Sequence, residues 1–152
     1  MTTKAQFNAE EWSVVVGAPL LAAMRVIAAD RGGSVRETVA VARAYAAARE
    51  SYDSELMSAV LATPPANDAK TAGKDIAGEA PARLREAIAI LERLATEDEV
   101  IEYKRFVYSL GETAAKAHKE GGFLGVGGKE VSEAEQAALD EIAAIFDEPP
   151  SA

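Results

Sequence analysis

Apolar residues along this chain recur three and four positions apart, the spacing of one helical face, and no segment of four or more alternates at period two. Ahead of several apolar runs stands a helix-capping residue, with a glutamate three positions later. These pairs are Asn8 with Glu11, Ser34 with Glu37, Thr96 with Glu99 and Ser132 with Glu135. Each can form a capping box, in which the cap's side-chain oxygen accepts an orphan N–H and the glutamate accepts the cap's own N–H. The pattern predicts a first helix from Ala9 through the 20s, with Leu20, Leu21, Met24, Ile27 and Ala28 as its apolar stripe. Pro19 either kinks that helix or opens a second one at its first turn. The Asp30-Arg31-Gly32-Gly33 stretch stops it, and Ser34 starts another helix carrying Val35, Val39, Ala42 and Ala46 at the helical period.

A short helix is predicted over Ser54 to Ala62, ending before Pro64 and Pro65. The polar, Gly/Pro-punctuated stretch over 63–79 reads as a mobile loop. Pro81 then suits the first turn of a helix with Leu84, Ala87, Ile88, Leu91 and Leu94. Thr96 caps the longest element, with Val100, Tyr103, Val107, Leu110, Ala114 and Ala117 on one face. A glycine-rich stretch follows, and the last helix shows Leu139, Ile142, Ala143 and Phe146 before Pro149 and Pro150. The expectation is an all-α, single-domain bundle of about six or seven helices spanning 1–152, with frayed tails at 1–7 and 147–152.

Composition sharpens this picture. Alanine is the commonest residue, which favours helices whose axes approach closely. At 152 residues the chain can bury a proper core. A net charge of −9 argues against nucleic acid as a direct partner, because an acidic surface repels phosphates. The absence of cysteine excludes disulfides, thiolate metal sites and cysteine nucleophiles, and fits a reducing compartment. The N-terminus lacks an apolar signal-peptide core, and the uncharged stretch from Trp12 to Met24 is short for a membrane span. A soluble, cytoplasmic protein is expected.

The segment HKEGGFLGVGGKEVS, residues 118 to 132, carries the most suggestive chemistry. A phosphate loop would need glycine at 123 and a hydroxyl residue at 130, and the chain has Phe123 and Glu130 there. The dinucleotide pattern fails at 130 as well. The segment reads instead as a helix stop and restart, with Phe123, Leu124 and Val126 either folded onto the core or offered to a protein partner or a second copy. His118, the single histidine, sits at a polar helix end where the helix dipole favours it, and a di-iron centre lacks its Glu-x-x-His motifs. Carboxylates remain. Asp30, Glu37, Glu130, Glu133 and Glu135 flank the two glycine-bearing interhelix loops, and hard divalent cations take such oxygen ligands. DRGGSVRETVAV supplies only the first ligand position of a calcium loop, however, and helix capping accounts for most of these acids.

Two segments, VIAADRGGSVRETVAVA and AAKAHKEGGFLGVGGKEVSEAEQAALDEIAAIF, share a layout of alanine-rich helix, glycine turn and capped acidic helix. This doubling resembles the TerB-like tellurite-resistance domain, an all-helical bacterial fold built around two such units. The closing SEAEQAALDEIAAIF matches best, and residues 50 to 95 are unmatched. The resemblance implies a helical fold and acids suited to metal at each turn. Asp30 matches the first such aspartate, whereas His118-Lys119-Glu120 and an inserted glycine-rich loop stand at the second. The expected role is a non-enzymatic interaction or stress-associated module with no cofactor. The alternative is a divalent-cation domain using Asp30, Glu37, Glu130 and Glu133.

Overall fold

The computed structural model describes residues 1–29, 35–65, 75–120 and 131–148, with only the backbone at 118–120. Among them lie a 3-10 turn, Lys4–Gln6, six α-helices and no strand. The helices are α1 (Ala9–Ala29), α2 (Val35–Ser51), α3 (Glu55–Ala62), α4 (Ile76–Leu94), α5 (Glu97–Glu120) and α6 (Glu133–Phe146). The chain is an all-α, single-domain bundle.

Three helices, α1, α5 and α6, start where the capping pattern places them. Asn8 Oδ1 accepts from Glu11 N at 2.8 Å while Glu11 Oε2 accepts from Asn8 N at 3.0 Å. The same reciprocal bonds join Thr96 to Glu99 and Ser132 to Glu135. Ser34, the fourth expected cap, lies outside the described residues, as do the glycine stops at 32–33 and 121–122. Ser54 adds a cap on α3, accepting from Met57 N.

Pro19 neither ends nor divides the first helix; α1 runs through it. Proline has no N–H, so the carbonyl four residues earlier, that of Val15, loses its helical donor. The hydroxyl of Tyr103 on α5 supplies a replacement, donating to Val15 O at 2.7 Å from a fully buried position. A backbone defect on one helix is thus repaired by a side chain on another.

α1 and α5 organise the core. α1 packs on α4, α5 and α6, while α2 lies along α5 and α3 braces the α2–α5 side. Val15 and Val26 of α1, Leu84 and Leu91 of α4 and Tyr103, Phe106 and Leu110 of α5 are all but inaccessible. Small residues let the axes approach. Ala18, Ala22 and Ala23 are buried on α1, and a Cβ at Gly111 of α5 would come 2.9 Å from Leu139 Cδ2 and 3.4 Å from Val26 Cγ2. By length and composition α1 is long and apolar enough to cross a membrane, an 18-residue window of it having a mean hydropathy of 1.8. Half of that window is buried within the bundle, which gives its apolar side chains a packing role.

The N-terminal end and the start of α4 differ from expectation. Residues 1–7 are not frayed. Thr2 is buried and bonds the Glu99 carboxylate through both its N–H (2.9 Å) and its hydroxyl (2.5 Å), and Phe7 packs on Trp12 with ring centroids 5.3 Å apart. At the other end Asp147 is the C-cap of α6 and the exposed Glu148 pairs with Arg85 at 3.0 Å; residues 149–152 lie outside the described set. The stretch over 63–79 is shorter as a connection than its polarity implies. Asp75 caps α4, which starts at Ile76, five residues before Pro81 rather than beside it. An Asp75 side chain accepting from Gly78 N begins the helix, and Pro81 then sits inside it, buried. Residues 66–74 of that stretch lie outside the described residues.

Candidate functional site

α2 presents a different face from the one its apolar period suggests. Val35 is 80% exposed and Val39 41%, and Ala42 and Ala46 are exposed with them. The buried residues are Glu37, Val41 and Ala48, with Ala44 and Tyr45 half-buried beside them. The reason lies in the neighbours. α2 packs on α5, where the Tyr45 ring meets Phe106 edge-on at 5.3 Å and Tyr52 meets it at 5.9 Å. An aromatic anchor outweighs a valine stripe in buried area, so the Tyr45 face turns inward.

α1 and α2 both pack on α5 but make few contacts with each other. Between them, closed at one end by the C-terminus of α3, lies an open groove of about 490 Å³. Its α1 wall is Leu20, Met24 and Ile27, three residues of the stripe read from spacing that are half-buried, whereas Leu21 of that stripe is buried. Ala28, from the same stripe, is exposed. The α2 wall is Thr38, Val41, Ala42, Tyr45 and Arg49, and Leu61, Thr63, Pro64 and Pro65 complete the end. A groove of this size, mostly apolar with a few polar groups, falls within the 300–1,000 Å³ typical of small-molecule sites.

The polar groups are unevenly provided for. Arg49 Nε donates to the Leu61 carbonyl at 3.1 Å, which ties α2 to the end of α3. Thr63 Oγ1 donates back to Ala59 O at 2.8 Å. The Tyr45 hydroxyl is buried with no hydrogen-bond partner among the described residues. Burial pushes its ionisation well above the ordinary phenol range, and burial does the same to Tyr103 with a further contribution from Tyr45. Both phenols are therefore neutral at physiological pH.

The candidate metal ligands do not assemble among the described residues. Glu37 is 1% exposed in the first turn of α2 and is partnered within the fold. Glu133 is exposed at the first position of α6, and Glu135, buried, serves the Ser132 capping box. Asp30 and Glu130 lie outside the described residues, and no group of three metal-ligating side chains occurs among those described. Phe123, Leu124 and Val126, the candidate interaction residues, and the His118 side chain also lie outside them.

The sequence signal for the groove is the Leu20, Met24 and Ile27 stripe of α1, whose period does not say whether a neighbour closes over it. No family model, curated protein or solved structure matches this chain.

Proposed function

We propose that this chain is a non-catalytic cytoplasmic binding module that holds an apolar partner in the groove between α1, α2 and the end of α3. The observation that carries the reading is the groove itself. Leu20, Met24, Ile27, Val41 and Leu61 border one open space of about 490 Å³, whereas most other large apolar residues among those described are enclosed. Apolar surface gathered this way loses water when occupied, and that drives binding without any reacting group. The TerB-like resemblance belongs to this reading as a statement about architecture, supported by the alanine-rich helix, glycine turn and capped helix found in both units. A stress-associated role would follow from that resemblance.

The test uses a neutral apolar dye whose fluorescence rises on leaving water. Wild-type protein should bind it, and Met24→Lys, which places a charge on the α1 wall, should abolish the signal. Ile101→Lys is the control, because Ile101 is 45% exposed on α5 and does not border the groove. Equal loss from both variants, or no dye binding by the wild type, would remove the groove from the proposal.

A further inference from the structure

We infer that the groove takes a small amphiphilic anion, an apolar body ending in one carboxylate, with the carboxylate held by Arg49. The inference rests on the groove being a binding site and adds the chemistry of its occupant. Among the described residues that line the groove, Arg49 is the one that is charged. In a chain of net charge −9, cations readily find carboxylates, and Arg25, Arg83, Arg85 and Arg93 each do so. Arg49, like Arg43 and Arg105, has no carboxylate within ion-pair distance among the described residues, and of these three it alone borders the groove.

Arg49 is exposed, but its Nε is anchored. Nε is committed to the Leu61 carbonyl, which holds the guanidinium at the groove's α3 end and leaves its terminal N–H groups for another acceptor. A planar, pre-positioned guanidinium matches a carboxylate through two parallel hydrogen bonds. From that end the walls are apolar along Val41 and Leu61 to Leu20, Met24 and Ile27. One fixed cation followed by an apolar trough is complementary to an anionic head with a hydrocarbon or aromatic body. The rest of the acidic surface would repel an anion, so the recognition is local to this end.

The experiment titrates decanoate, decanol and an apolar, uncharged decapeptide into the whole chain, followed by amide and methyl NMR shifts. Decanoate should shift signals of Leu20, Val41 and Leu61 and bind about tenfold more tightly than decanol, the difference expected of one charge-assisted contact. Arg49→Gln should erase that preference, so that decanoate binds no more tightly than decanol. Arg49→Lys, which keeps the charge but not the fork, should retain part of it. A wild-type-like spectrum away from the groove checks that each variant is folded. Equal binding of decanoate and decanol would overturn the carboxylate assignment and leave the apolar groove standing. Binding of the peptide but of neither decyl compound would overturn it in favour of a protein partner. No binding of any probe would overturn both.

Discussion

The two sides of α1 show what one helix does in two surroundings. Toward α4, α5 and α6 it buries Val15, Ala18, Ala22, Ala23 and Val26 in contact so close that the void among α1, α4 and α6 is about 10 Å³, no more than a water. Toward α2 the same helix carries Leu20, Met24 and Ile27, larger and equally apolar side chains, beside an open groove of about 490 Å³. The closed side is closed because small residues let the axes meet. The open side is open because α1 and α2 are both drawn to α5 and not to one another. Hydrophobicity alone does not distinguish core from binding surface; the helices' shared anchor does.

The largest expected effect breaks the contrast directly. Leu91→Ala, at a fully buried position on α4, should cost about 2–5 kcal/mol in urea-induced unfolding, the range for a leucine deleted from a closed core. Met24→Ala on the open side should cost a small fraction of that, since its neighbours already face space. Similar costs at the two sites would mean that the groove is a packed part of the core.

Next comes the repaired defect on the closed side. Tyr103→Phe strands the Val15 carbonyl and should cost about 1–3 kcal/mol. In a Pro19→Ala background the helix can supply its own N–H to that carbonyl, so the same substitution should cost less. A double-mutant cycle with no coupling would refute the repair.

The N-terminal clamp gives a pH signature. Burial would raise the pKa of Glu99, but hydrogen bonds from Thr2 and Thr96 prevail and hold it down from 4.5 to about 2. A carboxylate with a depressed folded pKa contributes stability above its unfolded value, and that contribution is lost as pH falls toward the folded one. Urea midpoints of the wild type should therefore fall between pH 4.5 and 2, and those of Glu99→Gln should fall less over the same interval. Parallel curves would show that another group governs acid stability.

The smallest expected effect belongs to one of two helical glycines, and the other sets it in contrast. At Gly17 a Cβ would meet nothing within 4 Å, so Gly17→Ala should stabilise by about 0.5–1 kcal/mol through backbone entropy. Gly111→Val, placed against Leu139 and Val26, should instead destabilise by about 1–3 kcal/mol. Thermal midpoints moving in the same direction would contradict the difference in packing drawn here.

Much of the architecture was legible in the chain because helix starts are local. A cap and a glutamate three positions on satisfy each other within one turn, which is why Asn8, Thr96 and Ser132 mark their helices correctly. The face of α5 was legible for a related reason. Its apolar stripe from Val100 to Ala117 is the face it buries, since a central helix has neighbours around it. The Asp75 start of α4 was harder to see, because Pro81 offered a stronger local signal for a first turn. The held N-terminus depends on a bond between Thr2 and Glu99, which are distant in the chain.

By itself, then, the sequence determined the helical class, most helix boundaries and the buried face of the central helix, all consequences of interactions within a few residues. Only the tertiary structure decided that the Tyr45 face of α2 turns inward, that Val35 and Val39 stay exposed, and that Leu20, Met24 and Ile27 border a groove. Spacing records that a stripe is apolar, but what lies opposite depends on which third helix both neighbours prefer, and here the aromatic contacts with Phe106 of α5 prevail.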